Sequence, residues 1–151
     1  MSQSYDTLRV TPSADGYVVT VEMHRPEALN AMNTAMGREL LQCFEDFFWD
    51  KQTRVVILTG AGAKAFCVGG DLKERQGMSD EAWREQHVIF EQAAFRILRC
   101  PLPVIAAVEG FAILEQMKLI SDAFYANHAK FILLRDLVAD PVALWASIDA
   151  K

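Results

Sequence analysis

Val55-Val56-Ile57-Leu58-Thr59-Gly60 is a continuous apolar run closed by a glycine. It is too short for a helix and rich in β-branched residues, which is the pattern of a strand buried on both faces. A loop with four glycines follows, from Gly60 to Gly70. Beyond it, Ser79 is placed to cap a helix whose first turn carries Asp80 and Glu81. Trp83, His87, Phe90, Ala94 and Ile97 keep helical spacing and mark the expected buried face of that helix. Pro101 and Pro103 end it, since neither can donate to a helical ladder. Val104-Ile105-Ala106-Ala107-Val108 then reads as a second buried strand.

Upstream, Leu8–Thr11 and Tyr17–Met23 alternate apolar and polar around Ala14-Asp15-Gly16, the pattern of a β-hairpin. Between hairpin and strand, Met36, Leu40, Leu41, Phe44, Phe47 and Phe48 predict a helix over Thr34–Trp49 with Asn33 as its N-cap. The order β-β-α-β-loop-α-β predicts an α/β fold with helices covering the strands. After Gly110 the pattern weakens to one mixed helix, a short strand around Lys130-Phe131-Ile132, and a weak C-terminal segment. The chain has 151 residues, which suits a single domain burying roughly 68–70% of its unfolded surface. No linker, repeat or low-complexity tract divides it.

Composition excludes several classes. With 52% hydrophobic residues, 8 Gly and 5 Pro, the chain is neither disordered nor fibrous. The net charge is −5, with no Lys/Arg block, so a nucleic-acid partner is not expected. A mild basic excess surrounds Lys64, Lys73, Arg75 and Arg84, compatible with a small phosphorylated ligand or with an ordinary solvated surface. No apolar run reaches the ~18 residues of a membrane span, and the first ten residues carry no secretory pattern. Cys43, Cys67 and Cys100 form no C-x-x-C pair. A reducing cytoplasm is therefore the expected setting, without disulfides or a cysteine zinc site.

Two glycine motifs compete for the chemistry. Gly60-Ala61-Gly62-Ala63-Lys64-Ala65 satisfies G-x-G-x-x-[G/A], but it does not open into a helix, and no hydroxyl residue follows the lysine. A nucleotide site is disfavoured. The second motif is Ala65-Phe66-Cys67-Val68-Gly69-Gly70-Asp71-Leu72. Two consecutive glycines let a ligand approach the backbone closely, and a short helix starting near Asp71 would leave N–H groups of Val68–Gly70 turned outward. Such amides bind an oxyanion or a polarised carbonyl. The competing reading is a tight loop that needs positive φ.

Four segments occur in order: His24-Arg25-Pro26-Glu27-Ala28-Leu29-Asn30-Ala31-Met32, Val55–Gly60, Ala65–Leu72, and Pro103-Val104-Ile105-Ala106-Ala107-Val108-Glu109-Gly110-Phe111-Ala112. Together they strongly resemble the enoyl-CoA hydratase/isomerase (crotonase) family over residues 5–112. Asp71-Leu72-Lys73-Glu74-Arg75 looks closest to its methylglutaconyl-CoA hydratase-like subgroup. The resemblance implies the ClpP/crotonase-like spiral of β-β-α units, here its N-terminal part only. It also implies an acyl-CoA thioester as ligand, with coenzyme A as part of the substrate and no separate cofactor. By position Val68 would supply one oxyanion N–H. Ala65, Val68, Gly69, Gly70, Asp71 and Leu72 would form part of the CoA pocket, and Glu27, Ala28 and Leu29 would pack against the CoA moiety. A Gly69→Val substitution is then expected to abolish binding and leave the fold mostly intact.

After Ala112 the sequence departs from the family pattern, leaving 113–151 as a divergent tail to the family-like core. The family continues into a triple-glycine run that gives the second oxyanion N–H, followed by a catalytic glutamate. Here the chain reads Ile113-Leu114-Glu115-Gln116-Met117-Lys118. One alignment places Glu115 on that glutamate, a second places Gln116 there, and Glu115 as a surface helix residue is the competing reading. The second catalytic glutamate would fall at Arg135, beside Asp136, and an arginine cannot act as a base at neutral pH. The family's C-terminal helical region is not recognised, so impaired trimer or hexamer assembly is expected.

Other chemistries find little support. His24, His87 and His128 lack ligand spacing, so a metal site is not expected. No G-x-S-x-G occurs. Cys67, beside the glycines, reads as a packed small residue, because no base stands near it to form a thiolate. Three functions stay open: an acyl-CoA hydratase or isomerase of impaired activity, a thioester-binding pseudoenzyme, and a scaffold subunit pairing with full-length relatives.

Overall fold

A computed structural model describes residues 4–112 and the strand 131–133. Strands β1 (Leu8–Pro12), β2 (Val18–Met23), β3 (Val55–Gly60), β5 (Val104–Ala107) and β7 (Phe131–Leu133) form one sheet in that order. The hairpin pair β1–β2 is antiparallel, and every other pairing in this sheet is parallel. Helices α1 (Thr34–Asp46) and α3 (Asp80–Leu98) pack against each other, with the four-residue α2 (Leu72–Arg75) just before α3. The short strands β4 (Ala65–Cys67) and β6 (Phe111–Ala112) make a separate parallel pair. The segment expected to be only a loop therefore contains a strand.

Register explains the core. Val19, Val56 and Val104 are aligned across β2, β3 and β5, as are Val21, Leu58 and Ala106, and all six are buried. They pack with Met36, Leu40, Cys43, Phe44 and Phe47 from the α1 side. The next row, Thr20, Ile57 and Ile105, is only half-buried. Burial on both faces of β3 and β5 is thus not what these residues show. The strands alternate buried and half-buried residues, as in a sheet with one well-covered face.

The helix caps fall where the side chains predict them. Asn33 accepts a hydrogen bond from Met36 N–H and Ser79 from Ala82 N–H. Helix α1 ends at Asp46, three residues before the expected Trp49. Asp50 then gathers the turn by accepting from Gln52 N–H and the Thr53 hydroxyl.

The buried stripe of α3 needs correction. It is Gln86, Phe90, Ala93 and Ile97, whereas Trp83 and His87 are exposed and stack on each other with ring centroids 5.2 Å apart. A polar residue at the core position displaces the expected phase, because the Gln86 amide finds partners inside. No helix among the described residues is long and apolar enough to cross a membrane.

Candidate functional site

The segment after β2 forms a compact turn. Pro26 opens a short 3-10 helix, Pro26–Ala28, where its missing N–H costs nothing. Leu29 and Asn30 then both take left-handed backbone conformations, φ 52° and 55°. The chain tolerates this because the turn is bonded internally. Leu29 N–H donates to Pro26 O, Asn30 N–H to Arg25 O, and Ala31 N–H to Ala28 O, at 2.9–3.2 Å.

Asn30 has no exposed surface and uses its whole side chain. Its Oδ1 accepts from Arg25 N–H, and its Nδ2 donates to Ala61 O at 3.0 Å and Ala65 O at 2.8 Å. One amide therefore fastens the 25–31 turn to both ends of the loop that leads into β4.

A second attachment holds the glycine turn. Met32 N–H donates to Gly69 O at 2.7 Å, and Asp71 N–H donates to Met32 O at 2.9 Å, a parallel bridge centred on Gly70. Gly69 has φ 89°, a conformation open to glycine at little cost, and it is buried. The expectation that Gly69→Val would spare the fold is corrected by this geometry. A β-branched residue at φ 89° is strained, and the strain falls on the peptide that receives the Met32 bond.

Because the bridge bonds use residues 69 and 71, the N–H of Gly70 faces away from Met32. Neither Val68 N–H nor Gly70 N–H donates to a described backbone group. Gly69 N–H has no such acceptor either, so the N–H groups of Val68–Gly70 are all candidate donors to a ligand.

Asp71 closes the arrangement. Its carboxylate accepts from Lys73 and Glu74 N–H, capping α2, and takes Arg25 Nη2 at 2.8 Å. Arg25 Nη1 donates in turn to Ala31 O. The Arg25 hydrogen bond, opposed by burial and helped by the two backbone donors, holds the Asp71 carboxyl below the usual carboxylate range.

Beside the turn, burial raises the Cys67 thiol above its ordinary range, consistent with a packed thiol and not a nucleophile. Among the described residues no group of three His, Cys, Asp or Glu is arranged to hold a metal ion.

The structure therefore brings the 27–29 and 65–72 residues into one framework. Glu27 and Leu29 lie exposed on the turn, Ala65 is buried in β4, and Leu72 is strongly exposed beside Asp71. Glu115, Gln116, Arg135 and Asp136 lie outside the described residues. Sequence reasoning missed the roles of Asn30 and of the Arg25–Asp71 pair. A lone amide in the otherwise apolar Ala28-Leu29-Asn30-Ala31-Met32 was the available signal for the first. The second joins residues 46 positions apart and has no local signature.

Comparison with known proteins supports the fold. The enoyl-CoA hydratase/isomerase family model matches residues 13–135. Among similar proteins, the mitochondrial Delta(3,5)-Delta(2,4)-dienoyl-CoA isomerase of Mus musculus is 35% identical over 147 residues, covering 89% of this chain and 44% of that protein. The short-chain-enoyl-CoA hydratase of Clostridium acetobutylicum is 36% identical over 99 residues, 66% of this chain and 38% of the relative. The crystal structure of an enoyl-CoA hydratase from Bacillus anthracis superposes with a TM-score of 0.67 at 38% identity, covering 71% of this chain and 41% of that one. The chain spans less than half the length of these relatives.

Proposed function

The chain belongs to the enoyl-CoA hydratase/isomerase family and carries part of its crotonase-like fold, and from that premise we propose that it binds an acyl-CoA thioester at the Val68–Asp71 turn. In this reading the thioester oxygen accepts from the amides of the turn, with the N–H groups of Val68–Gly70 as the donors available. Glu27, Ala28 and Leu29 pack against the CoA moiety, and CoA arrives as part of the ligand. The observation that carries the reading is the double attachment of the 25–32 segment to the turn, by Asn30 and by the Met32–Gly70 bridge. Fixed backbone donors suit a thioester enolate, because they need no reorganisation when charge develops on oxygen. Isothermal titration with CoA and butyryl-CoA at millimolar concentration tests it. Heat and a raised melting temperature are expected; no heat and no shift would contradict the reading.

Turnover is a separate matter. After Ala112 the sequence reads Ile113-Leu114-Glu115-Gln116 with no glycine run, and Arg135 falls where the resemblance puts a second acid. Loss of one oxyanion donor costs ~10²–10³ in rate, and loss of a positioned acid or base another ~10²–10⁴. The product is roughly 10⁴–10⁷, so we propose at most trace hydration of crotonyl-CoA and favour a thioester-binding role. Any trace should fall in Glu115→Gln. Robust turnover by the purified chain would contradict this, and trace activity unaffected by Glu115→Gln would remove that residue from the mechanism.

A further inference from the structure

Arg75, at the end of α2, holds its guanidinium against the glycine turn. Nε donates to Gln86 Oε1 at 3.0 Å, and the guanidinium lies 5.8 Å above the Phe90 ring. A Cβ at Gly70 would stand 2.7 Å from Nη2 and 3.1 Å from Nη1, so glycine at 70 is what admits the guanidinium there. Gln86 is itself buried and spent, donating to Thr34 Oγ1 at 2.8 Å and Glu74 Oε2 at 2.7 Å. The cation is therefore anchored by α3 and does not swing as a surface arginine would.

No described carboxylate forms a direct ion pair with it, and Glu74 is joined to it only through the Gln86 amide. Asp71 is matched by Arg25, and Glu74 is taken by Thr34 N–H and the Gln86 amide. Nη1 and Nη2 make no hydrogen bond or ion pair with a described residue. A positive fork with two free edges lies beside the amides proposed to receive the thioester oxygen.

We propose that Arg75 stabilises negative charge on the acyl oxygen of a thioester bound at this turn, as a charged donor beside the backbone amides; this rests on the acyl-CoA reading above. When the α-proton of the thioester passes to a base, the C–H electron pair moves into the Cα–C bond. The carbonyl π pair then moves onto oxygen. An oxyanion so formed is the acceptor that a guanidinium favours most, and a neutral thioester oxygen much less. Arg75 would in this way supply charge stabilisation where the chain lacks the family's glycine run.

Acetoacetyl-CoA tests this without turnover, since its acidic C2 proton passes to the buffer and its enolate absorbs in the near ultraviolet. The probe is titrated with pH, free and bound to the protein. An opposite charge within ~4–6 Å shifts an acidity by about 1–3 units, so the bound enolate fraction below the free probe's pKa should rise about tenfold or more. Arg75→Met keeps the aliphatic stem on Phe90 and removes the charge. It should lose the enolate gain while keeping the butyryl-CoA affinity, and Arg75→Lys should restore part of the gain.

Wild-type protein that binds both thioesters without an enolate gain would overturn the proposal and leave acyl-CoA binding standing. Equal weakening of CoA, butyryl-CoA and acetoacetyl-CoA in Arg75→Met would assign the guanidinium to the CoA phosphates and overturn it as well. Should Arg75→Met fail to fold, the wild-type titration beside Arg75→Lys decides by the same criterion. Binding of none of the probes would remove the acyl-CoA reading and this inference together.

Discussion

Leu29 and Asn30 hold consecutive left-handed backbones, and only one of them is compensated by its side chain. Asn30 exchanges its conformational cost for three hydrogen bonds in a fully buried position. Asn30→Ala would leave the Ala61 and Ala65 carbonyls short of a donor, and we expect a loss of about 3 kcal/mol in urea unfolding. Asn30→Gly keeps the backbone freedom and removes the amide, so a similar loss there would assign the effect to the clamp. The Arg25–Asp71 pair gives a pH dependence. The folded-state pKa of Asp71 is depressed, so its contribution is present above the ordinary carboxylate pKa of ~3.9 and is lost as pH falls through the folded value. The melting-temperature gap between wild type and Asp71→Asn should be wide at pH 7 and close below about pH 4. An unchanged gap at low pH would remove the pair from the stability of the turn.

Helix α3 sets the element scale. Its length and cap were legible, because Ser79, the first-turn acids and Pro101 are local signals; the hairpin was plain in its alternation, and β3 and β5 in their continuous apolar runs, though not in which face they bury. The buried face of α3 was not legible. Gln86 occupies a core position because Thr34, Glu74 and Arg75 surround it, three partners from two other elements that no periodicity can announce. Strand β4 was missed for a related reason: three residues inside a glycine loop become a strand only through pairing with β6. We expect Phe90→Ala to cost about 3–5 kcal/mol and Trp83→Ala to stay within about 0.5 kcal/mol, read from urea midpoints. The reverse order would mean that α3 presents its other face to the core.

At the scale of the whole molecule, the parallel sheet brings the ends of β2 and β3 together, and the turns after them become one framework around Met32 and Gly70. The family resemblance reached this framework through four separated segments, while the ion pair and amide that hold it are visible only once the chain is folded. The central claim is that the amides of this turn receive a thioester oxygen. Amide chemical shifts of the ¹⁵N-labelled chain, recorded with butyryl-CoA and with free CoA, test it most directly. Val68 or Gly70 N–H is expected to move downfield with the thioester and less with free CoA, while residues 27–31 respond to both. Saturating butyryl-CoA that leaves residues 27–31 and 67–72 unmoved would contradict it.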